Sequence, residues 1–294
     1  MIRFIGAIFL TVVVSFPAFA AVDIKEVETP GGLKAWLVED DTVPFLALEI
    51  RFKGGASLDE SGKRGAINLM TALLEEGAGE MDARDFARAS DSLAASFSFS
   101  VTDDALSISA RMLSENREEA AKLLRAALFE PRFDEASINR VRGQVLSSIT
   151  SDLKDPDEIA NRTMDNILFG DHPYASSLNG TTESVTALTR DDLLTAHQAV
   201  FAQDRVYIAA VGDINEEALA VFLDDLLAGL PEQGAPVPPA AELDIPGGVT
   251  VIPFNTPQSV TRFFQPGIER EDPDYFAAMV MNHLLGGGSF ESRL

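Results

Sequence analysis

Residues 45–79 constrain the fold more than any other part of the chain, because three patterns follow one another there without a gap. Residues 45–52, Phe-Leu-Ala-Leu-Glu-Ile-Arg-Phe, alternate in the manner of a half-buried strand. A turn-like linker runs from Gly54 to Gly62. Ile67, Leu69, Met70, Leu73 and Leu74 then recur at helical spacing, and Gly77 and Gly79 supply a stop. Strand, loop and helix in this order predict a helix laid on a sheet, since each element carries one apolar face that it cannot bury alone.

The same reading extended along the chain gives an α+β pattern. Residues 22–27 and 33–38 read as strands joined by a turn at Pro30-Gly31-Gly32. Asp82 can cap a helix reaching about Leu93, and residues 96–101 and 105–112 form a hairpin turned by Thr102-Asp103-Asp104. Helical patterns follow over residues 114–129, 134–153 and 157–169, punctuated by Pro131 and Pro156. After a loop over 170–180 come a shorter helix ending near Phe201, a strand over 205–211 and a helix over 215–228 capped by Asn215. Residues 231–246 hold five prolines and read as a linker. Beyond it the opening pattern recurs: Gly247-Gly248-Val249 echoes Gly31-Gly32-Leu33, with strands expected over 249–254 and 260–264 and a helix over 272–285. The expectation is a duplicated α+β unit with an incomplete second copy: a first domain over 21–231, a linker over 232–247 and the opening of a second domain over 248–294.

With 46% hydrophobic and 23% charged residues, the chain can build a core and is not a disordered polymer. Its net charge of −23 leaves no basic stripe to neutralise phosphates, so nucleic acid is not an expected partner. The absence of cysteine excludes disulfides, thiolate metal sites and a cysteine nucleophile. At the amino terminus Arg3, the apolar run 4–16, Pro17 and Ala18-Phe19-Ala20 have the pattern of a cleaved export signal over residues 1–20. A periplasmic or secreted protein is expected, with no stable membrane span after cleavage.

Hydrolytic metal chemistry needs three protein ligands, an open position for water and a carboxylate to take that water's proton. Only His172, His197 and His283 are present, and no two lie one helical turn apart. Ser289 sits in Gly-Gly-Gly-Ser-Phe rather than in a Gly-x-Ser-x-Gly elbow. Gly286-Gly287-Gly288 follows a helix carboxyl end, whose partial charge repels phosphate. Glu75-Glu76 and Asp224-Asp225 read as solvated faces.

The order of elements resembles the pitrilysin/insulinase metallopeptidases, the inverzincins, and most of all their mitochondrial-processing-peptidase branch. Besides the helix over 65–77, the resemblance rests on Phe169-Gly170-Asp171-His172-Pro173-Tyr174, Gly180, Leu188-Thr189-Arg190-Asp191-Asp192-Leu193, Val206–Asp213 and 284–294. It implies a pitrilysin-like (LuxS-like) metallohydrolase fold, with an antiparallel-rich sheet packed by helices. In that family the helix carries His-x-x-Glu-His. Here the ligand positions fall on Asn68 and Ala72, the general base on Thr71, and the third ligand on Ser148. Amide, methyl and hydroxyl groups cannot replace imidazoles and carboxylates at zinc, and threonine is no base at neutral pH. No cofactor is therefore expected, although active relatives use zinc.

By the same resemblance, Gly286, Gly287, Gly288, Ser289 and Phe290 fall where the non-catalytic processing subunit has its substrate loop. The implied role is a non-catalytic subunit that binds peptide substrate beside a zinc-bearing partner of the same family. Two alternatives accompany it: an active zinc endopeptidase with displaced ligands such as Glu75 or Glu76, and a non-proteolytic scaffold of a membrane-associated complex.

Overall fold

The computed structural model describes residues 23–287 and 292–293. The export signal expected over residues 1–20, and Gly288, Ser289 and Phe290 of the expected substrate loop, lie outside the described residues. In chain order the strands are β1 (Lys25–Glu28), β2 (Lys34–Glu39), β3 (Phe45–Lys53), β4 (Gly77–Ala78), β5 (Met81–Asp82), β6 (Ser96–Val101), β7 (Ala105–Leu113) and β8 (Val206–Gly212). The α-helices are α1 (Ala66–Ala72), α2 (Ala83–Ser92), α3 (Arg117–Phe129), α4 (Glu135–Asp152), α5 (Pro156–Phe169), α6 (Thr182–Ala187), α7 (Arg190–Val200), α8 (Glu216–Leu227) and α9 (Tyr275–Asn282). The chain divides into two compact units, one of residues up to 147 together with 178–238, the other of 148–177 with 239–294.

The first unit is built on a six-stranded sheet of order β1-β2-β8-β3-β7-β6, antiparallel except where β2 runs parallel to β8. Alternation decides its two faces. Leu37, Leu46, Ile50, Phe52, Leu106, Ile108 and Met112 point inward and are fully buried. They join Leu69 and Leu73 of the α1 stretch, Leu124 and Leu128 of α3, Leu193 and Val200 of α7, and Leu219 and Leu223 of α8 in one core. The other face presents a cross-strand row, Trp36, Ala209, Glu49, Ser109 and Ser98, set by the pairings of β2, β8, β3, β7 and β6. Its large apolar members, Trp36, Tyr207 and Val211, are exposed.

Local chemistry explains most boundaries. Asp82 accepts from the Arg84 and Asp85 amides at the head of α2, and Asn215 accepts from Ala218 at the head of α8. The shorter helix expected before Phe201 is two helices, each with its own capping box: Thr181 with Ser184 opens α6, and Thr189 with Asp192 opens α7. Asp224 is engaged rather than merely solvated. Its carboxylate accepts from the Gly31 amide at 2.9 Å, and a methyl group at Gly31 would sit 2.5 Å from that carboxylate.

Helix α1 ends at Ala72, before its glycines. Amides of Leu73 and Leu74 bond three residues back, to Met70 and Thr71, and this tightened turn buries both leucines. The glycine stretch then forms the two-stranded ribbon β4–β5, in which Gly77 adopts φ +117°.

In the second unit, Arg262 donates to Asp157 and Asn161 of α5, the Asp244 amide to the Leu168 carbonyl at 2.9 Å, and His172 Nε2 meets the Pro239 carbonyl at 3.2 Å. The strands expected over 249–254 and 260–264 are not formed. A strand exists only when a neighbour completes its ladder, and no described strand lies in this unit. The late helix is also shorter than expected, and a π turn at His283–Gly287 follows α9.

Candidate functional site

The first turn of α1 is held by a buried carboxylate. Asp59 leaves only 3% of its side chain exposed and accepts from the amides of Gly65 and Ile67, each at 2.8 Å. These are two of the amides a helix start leaves without internal partners. Arg64 lies 3.5 Å from Asp59, pairs with Asp103 in the β6–β7 turn and donates to the Ala56 carbonyl. Burial raises the Asp59 pKa to about 6, opposed by the Ile67 and Gly65 amides and by the Arg64 charge.

On this helix Asn68 and Ala72 stand one turn apart, as the sequence spacing requires, but the chemistry is not that of a metal cradle. The half-buried Asn68 donates from Nδ2 to Asn179 Oδ1 at 3.0 Å. Thr71 is 3% exposed, and its hydroxyl donates to the Ile67 carbonyl at 2.7 Å, so it faces the helix backbone. Ala72 is exposed and offers no lone pair. Ser148 lies on α4 and is exposed. A zinc ion needs imidazole or carboxylate donors converging on one point, and these four residues do not fit one.

The glutamates next along the chain do not restore such a site. Glu76 forms an ion pair with Arg140 of α4. Partial desolvation, with the Glu76 carboxylate beside it, raises the Glu75 pKa. Among the described residues there is no group of three His, Asp or Glu side chains placed to hold a metal.

Each histidine has a structural setting. His172 accepts from the Tyr174 amide and stacks edge-on against that ring. His197 is half-buried, with Nε2 2.7 Å from the Leu128 carbonyl, and desolvation lowers its pKa. His283 opens the π turn. Gly286 and Gly287 of the expected substrate loop are exposed in that turn, and the rest of the loop lies outside the described residues.

Sequence reasoning passed over Asp59, Arg64 and Asn179, the residues that position α1. Gly65 and Gly180, both with positive φ (+95° and +79°), were the available signal, since they mark where two backbones approach closely. Beside α1 runs β6, an edge strand of the sheet. Its Ser-Phe-Ser-Phe-Ser-Val sequence carries no charge or proline, the usual devices that block pairing at an edge.

Comparison with known proteins bears on this arrangement. The family model described as insulinase (peptidase family M16) matches residues 35–182, and the one described as the peptidase M16 inactive domain matches 187–294. A protein of Helicobacter pylori named non-peptidase homolog YmxG is 29% identical over 257 residues, 87% of this chain and 59% of that protein. An uncharacterized zinc protease of Streptomyces coelicolor is 24% identical over 281 residues, 92% of this chain and 60% of that protein. A crystal structure of a peptidase M16 inactive domain from Pseudomonas fluorescens superposes with TM-score 0.75 at 28% identity, covering 92% of this chain and 66% of that one. The chain thus spans about 60% of the length of these curated relatives.

Proposed function

The chain belongs to the insulinase family of M16 peptidases, and on that premise we propose that it is a non-hydrolytic subunit that holds peptide substrate for a zinc-bearing partner of the same family. The observation that carries this reading is the condition of α1. The helix and its setting are kept, while Asn68 and Thr71 have their polar groups engaged within the protein and Ala72 has none. A chain with such a helix cannot activate water for hydrolysis, so it acts through something other than its own metal chemistry.

The edge of β6 gives that role a physical form. An extended peptide can add to an open edge through main-chain hydrogen bonds, which read conformation rather than sequence. The serines on one face and Phe97, Phe99 and Val101 on the other give an added strand two different environments. The leader over residues 1–20 supports an exported, periplasmic setting. The domain reading of 21–231 and 248–294 supports a two-domain subunit with its substrate loop at Gly286–Phe290.

Reconstitution tests the proposal. The mature chain is combined with a zinc-bearing M16 homologue encoded in the same genome, and cleavage of a fluorogenic peptide is followed with and without each component. The expected result is no cleavage by this chain alone in added zinc, faster cleavage when both chains are present, and no change in that rate on Asn68→Ala or Thr71→Ala. Chelator-sensitive hydrolysis by the purified chain, with stoichiometric zinc bound, would refute it.

A further inference from the structure

Asn179-Gly180 is the only Asn-Gly dipeptide in the sequence. It lies where two backbone segments of the first unit cross through a reciprocal pair of glycines. A methyl group at Gly180 would sit 2.2 Å from the Arg64 carbonyl oxygen, and one at Gly65 would sit 2.7 Å from the Asn179 carbonyl oxygen. Glycine is therefore required at both positions, and that requirement leaves Asn179 followed by a residue with no side chain to shield its amide nitrogen. Ser184 Oγ donates to the Arg64 carbonyl at 2.8 Å and ties the crossing to the start of α6. The Asn179 side-chain oxygen is held from the other side by Asn68 Nδ2 at 3.0 Å.

We propose that Asn179 is a deamidation site of this protein, and that Asn68 is the positioning residue that keeps it in the amide form. In the reaction the Gly180 backbone nitrogen gives up its proton to a base in solvent and attacks Asn179 Cγ. A C–N bond forms, the bond from Cγ to Nδ2 breaks, and the nitrogen leaves as ammonia after taking a proton from water. The product is a five-membered succinimide. Water opens it at either carbonyl, giving aspartate with the original backbone or isoaspartate with the chain running through the former side chain. No oxidant or reductant is involved.

Ring closure requires the Asn179 side chain to turn onto its own following nitrogen, away from α1. The hydrogen bond from Asn68 opposes that turn, and the glycine crossing opposes the backbone rotation that must accompany it. Isoaspartate lengthens the backbone at a point where Arg64 leaves no room, so the modification also loosens the seat of α1.

Peptide mapping by mass spectrometry tests this on the mature full chain, incubated at neutral to mildly basic pH. The readout is the fraction of Asn179 converted to Asp and isoAsp over time, for the wild type, Asn68→Ala and Asn68→Leu, each native and in denaturant. The expected result is slow conversion in the native wild type, faster native conversion by up to about tenfold in both variants, as loss of one hydrogen bond allows, and equal rates for all three in denaturant. Asn68→Leu has nearly the shape of asparagine with neither donor nor acceptor, so it separates loss of the hydrogen bond from loss of packing. Equal native and denatured rates in the wild type would overturn the proposal. So would unchanged native rates in the variants, or slower ones, which would mean that Asn68 activates the carbonyl instead of restraining it.

Discussion

Asp59→Asn isolates what the buried carboxylate contributes to the first unit. The wild-type carboxyl has an ordinary value near 3.8 when unfolded and about 6 when folded, raised by burial. A raised pKa means that the folded state binds the proton more tightly. Stability is therefore highest below the unfolded value and falls as pH rises through the folded one, by about 3 kcal/mol in total across that window. Asparagine carries no such titration. Its amide also has one oxygen for two donors, so either the Gly65 or the Ile67 amide loses its acceptor, a cost of about 1–3 kcal/mol.

The difference in stability between wild type and variant should thus be largest near pH 4 and shrink through pH ~6. Other titrations, including that of His197 and the general repulsion of an acidic chain, are shared by both proteins and cancel in the difference. Trp36, the only tryptophan, lies on β2. Its fluorescence in urea titrations at stepped pH reports on the first unit alone. A difference that does not change with pH would show that burial and the helix amides cancel at Asp59. One that grows as pH rises would show that the amides and Arg64 win.

Arg205→Ala should destabilise the first unit by about 2–4 kcal/mol, because a side chain only 5% exposed donates to the Ala199 and Ala235 carbonyls and pairs with Asp204; the urea midpoint by Trp36 fluorescence checks this. Gly180→Ala should cost at least about 2 kcal/mol, since it adds a methyl group 2.2 Å from the Arg64 carbonyl at a left-handed backbone angle; thermal melts measure it. His197→Phe should flatten the acid limb of stability. A histidine with a lowered pKa stabilises above its unfolded value near 6.5 and loses that contribution as pH falls toward the folded one; urea titrations between neutral and acid pH decide it. Asn68→His with Ala72→His places two imidazoles one turn apart on α1, and divalent metal should then raise the melting point, by about 2.7 kcal/mol of stability at a hundredfold excess over the dissociation constant. No peptide hydrolysis should accompany it, and melting with and without chelator reads the effect.

What the sequence made legible followed from local chemistry. Asp82 and Asn215 are caps because their side chains reach amides two or three residues on, a fact contained in the chain's own order. The hairpin of β6 and β7 is legible for the same reason. The two capping boxes before Phe201 were equally local, and Thr181-x-x-Ser184 and Thr189-x-x-Asp192 carried the signal for splitting that helix. What escaped was not local. Residues 249–254 and 260–264 have a strand's composition, but composition does not fix the pairing that a ladder needs. Asp59 and Arg205 look like surface charges until the fold brings backbone amides and carbonyls around them. The candidate site divides in the same way. The positions aligned with the family's motif came from the resemblance, but the pairing of Asn68 with a residue 111 positions away could not be read from the sequence.

That division also explains how the site could change without the fold failing. Ile67, Leu69, Met70, Leu73 and Leu74 are all essentially fully buried, and each contributes about 1.5–3 kcal/mol by removal from water. The anchorage of α1 therefore rests on residues that never touch a metal. Asn68 and Ala72 lie on its more exposed side, where substitution costs little packing. Thr71 is the exception, being buried with its hydroxyl on the Ile67 carbonyl, and a glutamate there would need a partner for its charge. Placing the motif residues of active relatives on α1 one at a time should accordingly be asymmetric. Histidine at positions 68 and 72 should fold at near-native stability, whereas Thr71→Glu alone should cost several kcal/mol unless a cation beside α1 neutralises it. Equal stabilities for the three single variants would mean that the surroundings of Thr71 accommodate a buried carboxylate.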